Sequence, residues 1–292
     1  MTSMNKNELL HRYVNNNPNN EYLPESGRYC LYVSHSCPFA HRAILARQLK
    51  GLEECIEMVE LDPVLPASGI GWHFNGTYPD TINNWQRLKQ AYDLTFGENY
   101  TGSESEPVLW DKKTGSILNN ESLDIMRMLL DEFNAFSKNP MLELRPKSKR
   151  DEIEAFTLYL DQNFSGLIYD AHLSSKGKKK EDQIDAIFNI ADELETRLSS
   201  NKFLFGDTLT ESDLILFPTL TRFESVYEPL FKINKKKLCE FPALVNYMRD
   251  MAKTFSFTDT VRFNINIDSY YGSPMLNPDN IVPPTQAVPN LD

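Results

Sequence analysis

The sequence predicts an α/β domain over residues 28–137 followed by an all-helical domain over residues 146–267. Three observations carry that prediction. The apolar run Tyr29-Cys30-Leu31-Tyr32-Val33 is followed by a helical pattern and then by a second, alternating run. Further on, two apolar runs flank a Gly-containing turn, and a helix comes after them. From about Pro146 onward the apolar residues recur at three-to-four spacing, the period of an α-helix.

Taken in order, residues 1–27 are polar, with the Asn-rich stretch Asn15-Asn16-Asn17-Pro18-Asn19-Asn20, and read as an irregular arm wrapping the first domain. Residues 28–33 are the first strand. Residues 38–50 are the first helix, ended by Gly51. Ile56–Leu61 alternates and reads as a second strand, stopped by Asp62-Pro63. A strand–helix–strand unit implies a parallel pair joined by a right-handed crossover. Residues 62–106 are long and irregular and hold Trp72, Phe74, Tyr78 and Trp85. A connection of that length is functional or contains short helices of its own. Pro107–Trp110 and Ser116–Leu118 flank Asp111-Lys112-Lys113-Thr114-Gly115, a hairpin signal. Asn120-Glu121-Ser122 opens a helix whose apolar positions run from Leu123 to Phe133. This β-α-β, hairpin, helix order is that of a thioredoxin-like domain.

In the second half, Arg150–Phe164 and Glu181–Leu198 are helical, separated by the solvated basic run Lys176-Gly177-Lys178-Lys179-Lys180. Thr210-Glu211-Ser212-Asp213 before Leu214-Ile215-Leu216-Phe217 reads as a capping box with Asp in place of Glu. Phe241–Lys253 is a further helix. Residues 268–292 carry Pro274, Pro278, Pro283, Pro284 and Pro289 and read as an extended tail. There is no internal repeat.

The 292 residues carry a formal net charge of −11, with a pI near 5.0. That balance argues against nucleic acid and anionic membranes as partners. No apolar run approaches the ~20 residues of a membrane span, and the polar N-terminus lacks a signal-peptide core. Cys30, Cys37, Cys55 and Cys239 are irregularly spaced, unlike a disulfide framework. A reducing, cytoplasmic setting is the expectation.

The chemistry concentrates in Ser34-His35-Ser36-Cys37-Pro38-Phe39-Ala40-His41-Arg42. Cys37 sits between a strand and a helix, and Pro38 suits the first helical position, where no N–H is needed. Backbone N–H groups at a helix start carry partial positive charge. They can lower a thiol from about 8.5 into the roughly 3.5–7.5 range, making a nucleophile without a metal. The competing reading is a structural cysteine in a tight turn. A metal site from His35, Cys37 and His41 is rejected, since no second ligand cluster exists. Gly69-Ile70-Gly71 lacks the remaining glycines and the Lys of a phosphate loop.

A thioredoxin-like half with one N-terminal cysteine, followed by a helical half, resembles a cytosolic glutathione transferase of the omega-like branch. Cys37-Pro38-Phe39-Ala40-His41-Arg42 is similar to the Cys-Pro-Trp-Ala-His-Arg signature of the Xi class, the glutathionyl-hydroquinone reductases, with Phe39 in place of Trp. Gly71-Trp72-His73-Phe74, Pro107–Lys113 and Asn120-Glu121-Ser122 match that class in order and spacing. Tyr169, the Arg222–Tyr227 stretch and Tyr270 fall where it has aromatic residues. One segment departs from the pattern. Ser103-Glu104-Ser105-Glu106 stands where the class has a basic residue followed by apolar ones, so a positive contact to the thiol ligand is lost.

The resemblance implies glutathione as co-substrate, aromatic glutathionyl conjugates as substrates, no metal and a homodimer. It makes Cys37 the nucleophile and Pro107 a cis-proline that turns the backbone of Val108 towards the cysteinyl unit. The other reading of Pro107 is a plain strand-opening residue. Glu121 would take the γ-glutamyl ammonium and Ser122 its carboxylate, against the alternative of ordinary helix capping. Phe39 would line the glutathione site, and Trp72 would cover the ligand or serve as satellite core. Tyr169, Tyr227 and Tyr270 would form the acceptor pocket, their hydroxyls donating to the two ring oxygens or supplying a proton. Two rival functions share the fold: an omega-like thiol transferase or dehydroascorbate reductase, and a non-catalytic ligand carrier.

Overall fold

A computed structural model of the chain describes residues 11–66, 68–98, 100–174, 177–280, 282 and 289–291. Lys176 of the basic run and Pro283 and Pro284 of the expected tail lie outside these, as do the first ten residues of the arm. The chain forms two compact units, Met1–Leu142 with Asp268–Asp279, and Glu143–Ile267 with Asn280–Asp292.

The first unit is built on a four-stranded mixed sheet in the order β2-β1-β3-β4. Strand β1 (Tyr29–Val33) is buried along its whole length, and the crossover helix α1 (Pro38–Leu49) returns the chain to β2 (Glu57–Glu60). β1 and β2 pair in parallel, Cys30 opposite Glu57, as a strand–helix–strand unit requires. Gly51 ends α1 at φ +60°, where a Cβ would lie 2.6 Å from Lys138 Cβ, so only glycine fits. Strands β3 (Val108–Asp111) and β4 (Ser116–Asn119) form the antiparallel hairpin, with β3 also antiparallel to β1. The long 62–106 connection contains helix α2 (Lys89–Phe96). Helix α3 (Ser122–Asp131) closes the unit and packs on α1.

On one side of the sheet, Cys30, Tyr32, Val59, Val108, Trp110 and Ile117 form a core with Phe74, Trp85 and Tyr92. Trp85 meets Trp110 edge-on at 4.8 Å and stacks on Tyr32 at 5.7 Å. Asp80 ties this loop to the sheet by accepting from the Tyr32 hydroxyl at 3.1 Å and the Trp85 N–H at 3.0 Å. The described part of the N-terminal arm lies against α3 and β4. Val14 is buried with its N–H on Met128 Sδ, and Asn119 donates to the Arg12 carbonyl.

The second unit is helical: α4 (Arg150–Leu160), α5 (Leu167–Leu173), α6 (Lys178–Leu198), α7 (Glu211–Leu220) and α8 (Pro242–Thr254). The helix expected to stop at Phe164 instead continues into α5 through a π-helical turn at Asp161–Gly166. A second π turn spans Phe223–Tyr227. The capping box is present and buried, the Asp213 carboxylate accepting the Thr210 N–H at 2.8 Å. Among the described residues no helix is long and apolar enough to cross a membrane.

The expected tail differs from the sequence reading. Helix α9 (Phe263–Gly272) runs into it, and Asp268–Asp279 belongs to the first unit. The prolines that suggested extension begin only at Pro274, and Ser269, Tyr270, Tyr271 and Ser273 before it are buried. Ser269 Oγ donates to the Pro63 carbonyl at 2.5 Å.

Candidate active site

Cys37 is the N-cap of α1, and Pro38 occupies the first helical position. The turn that presents it, Ser34–Cys37, is held from within and from both neighbouring strands. The Cys37 N–H donates to the Ser34 carbonyl at 3.1 Å, and the Ser34 and Ser36 hydroxyls pair at 2.8 Å. His35 reaches Glu60 of β2, Nε2 to Oε1 3.2 Å. From the other side, Glu106 accepts the Ser34 N–H on Oε2 at 3.1 Å.

Cys37 itself is half-buried. The sequence predicts a thiol lowered by the helix N-terminus, and the structure shows the opposite sign. Burial of the sulfur pushes the Cys37 thiol well above its ordinary value, and the charge of Glu106 and its hydrogen bond to the thiol add to that. The backbone N–H groups of Ala40 and Phe39 do bond the sulfur and pull the other way, as a helix start should. They are outweighed because the desolvated site disfavours a second negative charge beside a carboxylate. Glu106 is the residue that sequence reasoning missed as a contact of Cys37. Its signal was an acid directly before Pro107, where the resembling class has an apolar residue.

The Glu106–Pro107 peptide is cis. Val108 is fully buried, its side chain in the sheet core and its backbone opposite Tyr32. The β3–β4 register begins one residue later, at Leu109 opposite Asn119. Phe39 is partly exposed and lies under the Arg42 guanidinium, 4.7 Å from carbon to ring centroid. Arg42 also donates to the Ser122 hydroxyl at 3.3 Å, bringing the Cys37 helix to the start of α3. There Glu121 is the exposed N-cap residue, and its side chain makes no cap bond. The Glu121 N–H donates to Asn119 Oδ1 at 2.7 Å. Trp72 packs partly against the core cluster and keeps the rest of its surface outside it, in keeping with both roles expected of it.

Tyr169 and Tyr227 are brought together in the second unit. Their hydroxyl oxygens are 3.4 Å apart and their rings meet edge-on at 5.9 Å. Phe231 packs on both rings at 5.4 Å and stacks on His172 at 3.8 Å. Tyr227 ends one π turn, and Tyr169 follows the other in the next helix. Such turns are frequent at functional sites because they re-aim the side chains around them. Phe231 and His172 were not singled out from the sequence. Tyr270 is buried on α9, within the segment assigned to the first unit.

Comparisons with known proteins agree with this layout. The family model for the glutathione S-transferase N-terminal domain matches residues 36–132, and that for the C-terminal domain matches residues 169–250. The chain is 35% identical over 273 residues to the glutathionyl-hydroquinone reductase PcpF of Sphingobium chlorophenolicum, covering 91% of this chain and 86% of that protein. The crystal structure of the Xi glutathione S-transferase of Phanerochaete chrysosporium superposes with a TM-score of 0.88 at 34% identity, covering 94% and 95% of the two chains. The glutathione-bound structure of YqjG, a glutathione transferase homologue from Escherichia coli K-12, gives 0.89 at 29% identity, covering 96% and 94%. Two domain models in series, Xi-class structural neighbours over nearly the whole length, and a lone cysteine at the head of α1 place the chain in the Xi class of the glutathione S-transferase family, the class of the glutathionyl-hydroquinone reductases.

Proposed function

We propose that the protein reduces glutathionyl-hydroquinones to hydroquinones at the expense of glutathione. The observation that carries this reading is Cys37 at the start of α1, with the Phe39 and Ala40 N–H groups on its sulfur. A relative 35% identical is named for that activity, and a structural neighbour was solved with glutathione bound.

Cys37 attacks the sulfur of the conjugate, and a mixed disulfide forms between Cys37 and glutathione. The carbon–sulfur bond to the ring breaks, and the ring keeps the electron pair and takes a proton. A second glutathione then attacks the mixed disulfide, releasing oxidised glutathione and restoring the thiol. Ala40 stands where a Cys-x-x-Cys protein would hold its second cysteine, so resolution requires a thiol from solution and the kinetics are ping-pong. Ser122 and the N–H groups at the start of α3 hold the γ-glutamyl carboxylate, and Glu121 holds its ammonium. Pro107 presents the Val108 backbone to the cysteinyl unit, and Phe39 and Trp72 border the tripeptide. Tyr169, Tyr227 and Tyr270 form the acceptor pocket, with hydroxyls that hold the ring oxygens as charge develops on them. The same reading makes the enzyme a cytoplasmic homodimer, which light scattering on the purified protein checks.

The test is to incubate the protein with the glutathionyl conjugate of menadiol, add glutathione, and follow hydroquinone release. Wild type releases one hydroquinone per oxidised glutathione formed, and Cys37→Ala releases none. One observation favours a second reading. A thiol pushed above its ordinary range is what a non-catalytic ligand carrier would hold. Conjugate binding without turnover in the wild type would establish the carrier and end the reductase reading. Turnover of dehydroascorbate or of protein mixed disulfides, with the menadiol conjugate left intact, would assign the omega-like activity instead.

A further inference from the structure

The reaction proposed above needs two proton transfers that no residue of the glutathione site obviously supplies. The Cys37 proton must leave when its sulfur attacks, and a proton must reach the ring carbon when the carbon–sulfur bond breaks. Glu106 stands at the first of these points. Its residue is 7% exposed, and the Ser34 N–H fixes Oε2 at 3.1 Å. Its carboxylate is hydrogen-bonded to the Cys37 thiol, and that bond can only run from S–H to carboxylate while the thiol is protonated. The cis-linked Pro107 follows it and leads into β3, so the carboxylate is delivered from the segment before β3 while the thiol is delivered from the start of α1. The other charged side chains of this turn have partners elsewhere: His35 pairs with Glu60, and Arg42 bonds Ser122 and lies on the Phe39 ring.

We propose that Glu106 is the proton-transfer residue of the reaction, taking the Cys37 proton as base and returning it to the leaving ring as acid. This rests on the reductase reading of the site. In the first half-reaction the S–H proton passes to Glu106, and a sulfur–sulfur bond forms between Cys37 and glutathione. The sulfur–carbon bond breaks with its electron pair left on the ring carbon, which takes the proton from the Glu106 carboxylic acid. The ring is reduced by two electrons and Cys37 is oxidised to the mixed disulfide. In the second half-reaction the incoming glutathione gives its proton to Glu106 and attacks the glutathione sulfur of the mixed disulfide. The Cys37 sulfur departs with the electron pair and recovers the proton from Glu106. The sum is conjugate plus glutathione giving hydroquinone plus oxidised glutathione. The arrangement explains why a nucleophilic cysteine is kept protonated at rest: the base is built beside it, and the thiol need pass its proton to that base only when substrate arrives.

The test uses two readouts expected to move in opposite directions. Iodoacetamide alkylation of Cys37 is measured against pH, and conjugate reduction is measured at saturating substrate. Without any variant, the wild-type alkylation midpoint should lie above the ordinary thiol value of about 8.5 while turnover proceeds at pH 7. In Glu106→Gln the negative charge is gone. The alkylation midpoint should then fall by about one unit or more, so Cys37 alkylates faster at pH 7. Reductase kcat should fall by about 100-fold or more, the usual share of general acid–base catalysis. Glu106→Asp, which keeps a carboxylate, should hold the alkylation midpoint near wild type and retain more turnover than the Gln variant. A wild-type midpoint below 7 overturns the proposal, because no base would then be needed. So does a Gln variant in which alkylation and turnover both rise, making Glu106 a simple brake. So does one in which turnover falls with the alkylation midpoint unmoved, making the role structural. If wild type reduces no conjugate at all, the reductase reading fails. The alkylation arm still decides whether Glu106 governs the Cys37 proton.

Discussion

The strand that leads to Cys37 and the strand that follows Glu106, β1 and β3, are joined by a buried ion pair, and removing its acid should unfold the first unit at far lower denaturant. Arg28, at the start of β1, donates from Nε to Asp111 Oδ1 at 2.9 Å and from Nη2 to Oδ2 at 2.7 Å, a bidentate fork with side chains 3% and 0% exposed. Asp111 also accepts the Lys113 N–H and the Thr114 hydroxyl, both at 3.0 Å, and so shapes the β3–β4 turn. In Asp111→Leu the guanidinium keeps Glu25, the Glu21 carbonyl and the faces of Tyr22 and Tyr29 but loses its bidentate partner, and the Lys113 N–H loses its acceptor. Breaking a buried pair from one side costs about 3–5 kcal/mol. Replacing both partners by apolar groups removes the stranded charge. Arg28→Met with Asp111→Leu should therefore lose less than Asp111→Leu alone, roughly 1–2 kcal/mol, most of it the unsatisfied turn N–H. All three tryptophans, Trp72, Trp85 and Trp110, lie in the first unit, so urea unfolding followed by tryptophan fluorescence reads that unit directly. The pH dependence has a definite sign. Burial raises Asp111, but the Arg28 hydrogen bonds outweigh it and hold the carboxyl below its ordinary range. Its contribution is then present above the unfolded value of about 3.9 and lost as pH falls through the lower folded value. The gap between wild type and Asp111→Leu should close on acidification. A loss under about 1 kcal/mol at pH 7, or a double variant no more stable than Asp111→Leu, would refute the reasoning.

Two further outcomes follow from the second unit. Asp213 accepts from the Leu204 N–H and Tyr247 hydroxyl on Oδ1 and from the Thr210 N–H and hydroxyl on Oδ2. In Asp213→Asn the amide nitrogen therefore faces donors in either orientation, and the variant should lose about 2–3 kcal/mol by far-ultraviolet circular dichroism. Burial pushes Asp213 up to about 6. A raised acid contributes stability that is full below the unfolded value near 4 and lost as pH rises through 6. The non-titrating Asn should flatten that part of the profile, and an unchanged slope would count against it. Tyr169→Phe and Tyr227→Phe should each lower reductase kcat about tenfold, near the upper end of one hydrogen bond's worth, with the KM for glutathione unchanged. The double variant should lose less than the product, because the two hydroxyls are 3.4 Å apart and act together. Independent effects would mean that they do not share one substrate oxygen.

Much of the first unit was legible because its signals are local. A buried apolar run, Pro38 at a helix start, Gly51 at a helix end and a Gly-containing hairpin turn each depend on residues a few positions apart. Together they define the β-α-β-hairpin-helix order and place Cys37 at its first turn. The extent of α9 was lost to the prolines that follow it, whose composition outweighed the helical segment before Pro274. The π turns were invisible because the apolar period barely changes across one inserted residue.

By itself, the sequence determined the fold and the place of Cys37 at the turn between the first strand and the first helix, since these rest on short-range periodicity and turn chemistry. Tertiary structure alone decided which way the Cys37 thiol is shifted. A helix start lowers a thiol when nothing else is near, but the fold brings Glu106, from the segment before β3, against Cys37 and buries the pair. Electrostatics depends on distance in space and on desolvation, and neither is written in spacing along the chain.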